Sequence, residues 1–198
     1  MVKTKINCSE FSDSEIISKS LEDLDYFRCI YERYEKKLKN YIKKISGFNN
    51  DEIEDILQNA FINIWKNINS YDKSMKFSSF LYRIVHNETI SYWRKINSKS
   101  KNEQSYAINN LKDKDIDNNL DMENSTSKKD EITKILNLLP IKYKEILVLK
   151  FLENMDYEEI SDILKIPEGT VATRINRAKK AFAKIADKKN LLDKLINY

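Results

Sequence analysis

The chain has 198 residues, 33% charged and 41% hydrophobic, with 35 Lys+Arg against 31 Asp+Glu and a formal net charge of +4. That length accommodates one large domain or two small ones, each able to bury a core. Two glycines leave no material for a Gly-rich phosphate loop, a dinucleotide fingerprint or a hairpin-rich sheet, and 11 Tyr with 8 Phe argue against wholesale disorder. Any nucleic-acid footprint must come from segregated rather than bulk charge, because the net basicity is small. Cys8, Cys29 and the single histidine, His86, offer no metal-ligand spacing, so neither a metal site nor a cofactor is expected. No apolar run approaches the ~20 residues of a membrane span, and no signal peptide is read at the start. The expectation is a cytoplasmic protein with reduced thiols, an intrachain disulfide being the alternative.

Apolar periodicity divides the chain into an N-terminal block, 9–96, and a C-terminal block, 131–190, joined by a polar Asn/Asp/Lys-rich linker over 97–130. Both blocks repeat at the helical period and neither alternates at period two. The predicted fold is all-α, two small helical domains on a flexible tether.

In chain order, the first clear helix covers 51–65 and continues to Ile68. Asn49 can cap it, with Glu52 in capping-box position. Ile53, Ile56, Leu57, Ala60, Phe61, Ile64 and Ile68 fall on one side. Asp51, Asp55, Gln58, Asn59 and Ile62 fall on the other, with Trp65 at the margin. That acidic, amide-bearing face is readable as solvated surface or as a docking face for a basic protein.

Next comes a short polar connection, Tyr71 to Lys76, and then a helix over 77–95 that is apolar nearly all round. Arg83, Asn87, Ser91 and Arg94 line up on it as a polar strip, beside a second strip of Tyr82, His86 and Trp93. Cations and amides interleaved with aromatics suit unpaired bases. The plainer reading makes Tyr82 and Trp93 core residues, and His86 a core or surface histidine without a ligand role.

The C-terminal block holds the most specific pattern. A short helix over 157–164 and a break at Lys165-Ile166 precede Pro167, which suits a first helical turn. In the second helix Val171, Ile175, Ala178, Phe182 and Ile185 share one side, while Thr173, Asn176, Arg177, Lys180 and Lys184 point the other way. This is a helix-turn-helix pattern with side chains suited to a DNA groove. Charge is segregated along it. Residues 165–189 carry Lys165, Arg174, Arg177, Lys179, Lys180, Lys184, Lys188 and Lys189 against Glu168 and Asp187, whereas 145–162 carry six acids against Lys150. Such separation reads as one face toward DNA.

These stretches resemble one family, the bacterial sigma factors of the extracytoplasmic-function (ECF) type. EDILQNAFINIW (54–65) resembles its core-polymerase-binding helix. FSSFLYRIVHN and ETISYWRK (77–95) resemble its −10-reading helix, and 139–180 resembles its −35-reading domain. The resemblance implies that Asp51, Asp55, Gln58, Ile62 and Trp65 dock on RNA polymerase core. It implies that Tyr71, Asp72, Lys73, Ser74 and Lys76, with Arg83, Asn87, Ser91 and Arg94, meet a melted −10 strand and capture a flipped base. Thr170, Thr173, Asn176, Arg177, Lys180 and Lys184 would read the −35 duplex, with Arg174 on its backbone. Phe80 and Ser91 depart from the Trp and Asp usual in the family.

Under this reading the linker reaches on the order of 100 Å extended, and its acids (Asp113, Asp115, Asp117, Asp121 and Glu123) suit a basic polymerase channel. The implied function is promoter recognition without catalytic residues, and an anti-sigma protein is a further candidate partner. The competing reading is a stand-alone helix-turn-helix regulator. A helical enzyme is disfavoured, since no Ser/His/Asp or Cys/His set exists.

Overall fold

A computed structural model describes residues 6–101 and 128–188. The linker acids named above, and Lys189, lie outside the described residues. Among those residues the regular structure is helical, in two compact units: one within residues 1–43 and 48–92, the other within 44–47 and 93–198. No described helix is long and apolar enough to cross a membrane.

The N-terminal unit is built from α1 (Asp13–Glu22), α2 (Phe27–Ser46), α3 (Asn50–Asn67) and the first part of α4 (Phe77–Lys101). Two capping boxes set the entries of α1 and α3. Ser12 pairs with Glu15, and Asn49 pairs with Glu52 as the sequence pattern predicts, so two otherwise orphaned N–H groups are satisfied at each start. Gly47 follows α2 at φ +74°, a left-handed conformation that a side chain would strain. All seven apolar positions predicted for α3 are buried, among them Ile53, Ile56 and Ile64 at 1% exposure or less. Ile30, Leu38, Ile42, Leu81 and Val85 are buried with them, each large aliphatic side chain contributing about 1.5–3 kcal/mol.

Two expectations change here. Cys8 and Cys29 are joined in a disulfide, with Cα atoms 5.2 Å apart, rather than being reduced thiols. The segment ahead of α1 folds back on the start of α2, where Arg33 Nη2 donates to the carbonyls of Cys8 and Phe11, both at 2.8 Å. That return is a long-range event, which spacing alone does not reveal. The second change concerns Trp93 in the aromatic strip on α4, whose other two members follow the plainer reading as core. Tyr82 and His86 are buried, with Tyr82 edge-on to Tyr41 at 5.0 Å and the Tyr41 hydroxyl 3.1 Å from His86 Nδ1. Trp93, read as core, is 44% exposed.

The C-terminal unit contains α5 (Lys128–Asn137), α6 (Ile141–Leu147), a wider helical turn over Val148–Leu152, α7 (Tyr157–Leu164) and α8 (Glu168–Lys188). Asp156 and Glu159 form a third capping box at the start of α7. Lys165 turns the chain at φ 52°, and Ser161 Oγ donates to the Ile166 carbonyl at 2.7 Å, fixing the tight bend. Pro167 sits one residue earlier than a first-turn position. Its carbonyl caps α8 by accepting from the N–H groups of Thr170 and Val171. Val171, Ile175, Ala178 and Ile185 are buried against Ile146, Leu149, Ile160 and Ile163, while Phe182 is half-buried.

Candidate nucleic-acid interface

Three surfaces carry the residues singled out by the sequence. On α3, Asp51, Asp55, Gln58 and Asn59 are exposed and Ile62 stands out at 46%. Trp65 is half-buried because its ring packs edge-on to Phe27 at 5.2 Å. Leu24 and Tyr31 join this face across a hollow of about 640 Å³ floored by Phe61. They come from the turn before α2 and from α2 itself, so no local pattern around α3 could have shown them.

The second surface gathers around the Tyr71–Lys76 connection. Asp72 Oδ1 accepts from the Ser74 N–H at 2.9 Å, and the Met75 N–H reaches the Asp72 carbonyl at 3.1 Å, closing a tight turn. The Ser74 backbone bond holds the Asp72 carboxyl below its ordinary value, and the Ser74 hydroxyl adds to this. Thus Asp72 shapes the turn, and it is exposed along with Lys73, Ser74 and Lys76. The Tyr71 hydroxyl donates to the Met75 carbonyl, and its ring packs on Phe77 and Phe80 at 5.1 and 5.4 Å. Desolvation, more than the neighbouring acids Asp13 and Asp72, pushes the Tyr71 hydroxyl up in pKa. Arg83 lies half-buried over the Phe80 ring at 5.6 Å. Phe80, where the family pattern has Trp, is thus an aromatic platform. Asn87, Ser91 and Arg94 are exposed along α4. Of the two strips read from the helical map, the polar one reaches the surface and most of the aromatic one is core.

On the third surface Thr170, Thr173, Asn176, Arg177, Lys180 and Lys184 all stand exposed along α8, opposite its buried side. Thr173 Oγ1 donates to the Gly169 carbonyl at 2.9 Å, which leaves its oxygen as an acceptor. Arg174 differs from its neighbours. It leans inward, and its Nη1 donates to Glu145 Oε1 of α6 at 3.2 Å. Burial raises the Glu145 carboxyl to about 7, with Arg174 pulling the other way. A recess of about 250 Å³ beside Thr170 and Arg177 is also lined by Lys142 and Tyr143 of α6. Sequence reasoning missed both. The only signal was a Lys-x-Lys pair just after Pro140, at a helix start.

Comparison with known proteins gives the family of the chain. Residues 30–99 match Sigma-70 region 2 and residues 129–182 match Sigma-70 region 4. The chain is 34% identical over 174 residues to the ECF RNA polymerase sigma factor SigW of Bacillus subtilis (strain 168), across 82% of this chain and 89% of that protein. It is 29% identical over 165 residues to the ECF RNA polymerase sigma-E factor of Haemophilus influenzae, across 79% and 85%. Two solved structures share the fold, each with a TM-score of 0.64. One is the sigma factor RpoE in complex with the anti-sigma factor NepR from Bartonella quintana, at 20% identity over 81% of this chain and 96% of that one. The other is CnrH in complex with the cytosolic domain of CnrY, at 16% identity over 89% and 97%.

A region 2 and a region 4 in this order define a sigma-70-type initiation factor, which recognises promoters for RNA polymerase. The chain belongs to the ECF RNA polymerase sigma factors. The stand-alone regulator is accordingly not favoured, because its N-terminal block would need no region 2.

Proposed function

We propose that the three surfaces divide the work of promoter recognition. Residues 9–96 bind polymerase core and the melted −10 strand, residues 131–190 bind the −35 duplex, and residues 97–130 tether the two. Asp51, Asp55, Gln58, Ile62 and Trp65 dock on core. The acids attract a basic partner, and Ile62 with Trp65 supplies the apolar centre that interfaces require. Lys73, Ser74 and Lys76, with Tyr71, Arg83, Asn87, Ser91 and Arg94, meet the opened strand. There cations hold phosphates, rings stack, and amides bond base edges. Asp72 acts through the turn that it closes.

On α8, Arg177 and Asn176 are suited to bidentate bonds with guanine and adenine, and Thr170, Thr173, Lys180 and Lys184 flank them. Arg174 supports that helix from behind while its outer edge stays near the DNA backbone. The protein contributes binding and no chemistry of its own, and it works in the cytoplasm alongside polymerase. The sigma factor RpoE of like fold is in complex with the anti-sigma factor NepR, which supports an anti-sigma partner here as well. The reading rests most on α8, where side chains suited to base edges stand exposed opposite the buried Val171, Ile175, Ala178 and Ile185.

In vitro transcription is the test, with purified protein and sigma-free core on sheared genomic DNA and sequencing of the transcript starts. Starts that share a pair of upstream motifs are expected. The absence of both core association and transcript starts would overturn the proposal.

A further inference from the structure

Beside the Tyr71–Lys76 connection lies a hollow of about 480 Å³ with two chemically different walls. Tyr71, Lys73 and Lys76 form one, an aromatic and cationic side. Ser12, Asp13 and Ser14, at the entry to α1, form the other. Nothing in the sequence pattern of 71–95 points to that second wall, which arrives from some sixty residues upstream.

The second wall is held firmly. Arg33 Nη1 donates to Asp13 Oδ1, and the Tyr34 hydroxyl donates to Asp13 Oδ2, both at 2.5 Å. The same guanidinium grips the carbonyls of Cys8 and Phe11, and the Cys8–Cys29 disulfide ties the segment to α2. Burial, chiefly, raises the Tyr34 hydroxyl well above its ordinary range, so it stays a neutral donor. Even so, the Asp13 side chain remains 33% exposed. An ionised carboxylate offers roughly four acceptor positions, of which these bonds occupy two. The Arg33 cation offsets its charge, so a polyanionic strand can approach without meeting a bare negative group. What is left at Asp13 is a firmly held carboxylate with free acceptor positions, flanked by Ser12 and Ser14 across the hollow from an aromatic ring and two lysines.

We propose that Asp13 is a specificity-determining residue for the opened strand, accepting the exocyclic amine of an unpaired base seated in this hollow. The inference rests on the reading that the Tyr71–Lys76 connection meets single-stranded −10 DNA. Cytosine, adenine and guanine each present an amine on the Watson–Crick edge. Thymine presents two carbonyls flanking one N–H, and those oxygens would face the Asp13 lone pairs. The hollow therefore favours an amino-bearing base over thymine, while the stacking and phosphate contacts stay indifferent to the choice.

The test uses the full chain bound to polymerase core to select strands from a randomised single-stranded DNA pool. Expected is one position where amino-bearing bases exceed thymine about tenfold, the scale of one hydrogen bond to a charged group. In Asp13→Asn that preference should shrink to within about twofold, with preferences at other positions retained. A second arm needs no variant. At the discriminating position pyrimidin-2-one replaces cytosine, purine replaces adenine, or hypoxanthine replaces guanine, each removing only the amine. Wild type should lose about tenfold in affinity. A loss within twofold, or an unchanged preference in Asp13→Asn, overturns the role of Asp13. If wild-type protein retains no strand beyond what core alone retains, the −10 reading itself falls and this inference falls with it. Strands retained with preferences independent of Asp13 sink the inference alone.

Discussion

The two surfaces proposed to read DNA are built in opposite ways. The α8 surface belongs to one helix, where residues three and four apart share a face, so the same 21 residues carry both the buried stripe and the exposed Thr170–Lys184 side. The surface proposed for the −10 strand is assembled from the start of α1, the Tyr71–Lys76 connection and α4, and it depends on Arg33, Tyr34 and a disulfide for its shape. A surface on one element tolerates loss of a distant contact. An assembled one should fail when any tie is cut.

The largest expected effect tests the N-terminal unit at its other face. Asp55→Arg combined with Ile62→Glu should abolish association with polymerase core, measured by co-purification, while circular dichroism keeps its helical signal. Retained core binding would remove α3 from the docking surface.

Cutting the disulfide sharpens the contrast between the units. It closes a loop across a sequence separation of 21, so reduction or Cys8→Ser should destabilise the N-terminal unit by about 3 kcal/mol in denaturant titrations. Binding of −35 duplex by α8 should be unaffected. Equal damage to both would show that the units do not respond separately.

Arg177→Ala should weaken −35 duplex binding by about 1–3 kcal/mol and relax selectivity at one base pair. Competition with single-base duplex variants reads this directly, and unchanged selectivity would take Arg177 off the reading face.

A smaller, pH-dependent effect is expected from Glu145. Its folded value, about 7, lies above the ordinary 4.5, so the folded state holds a proton that the unfolded chain has released between these limits. Stability from this group should therefore be greatest below about pH 4.5 and decline as pH rises toward 7. Glu145→Gln should flatten that slope in thermal melts across the range. A slope unchanged in the variant would assign it to other groups.

The least effect should come from Lys142→Ala. Lys142 lines the recess beside Thr170 and Arg177 and is expected to meet a phosphate there, so its loss should weaken all duplexes alike and reduce the salt slope by about one.

Sequence alone determined everything that follows from helical period and local caps. The α3 core stripe and its Asn49–Glu52 box, the turn at Lys165 and the two faces of α8 all rest on contacts within a few residues. There the 100° repeat and the capping chemistry act directly. The resemblance to ECF sigma factors was legible for the same reason, since it is carried by contiguous stretches. Tertiary structure decided what depends on segments meeting from afar. His86 turned inward where Tyr41, on another helix, places its hydroxyl, and Arg174 leaned back to donate to Glu145 of α6. Cys8 found Cys29, and Asp13 came to face Tyr71 across one hollow, only because the chain returned on α2. Such meetings are set by packing of the whole core, and no periodicity within a single element encodes them.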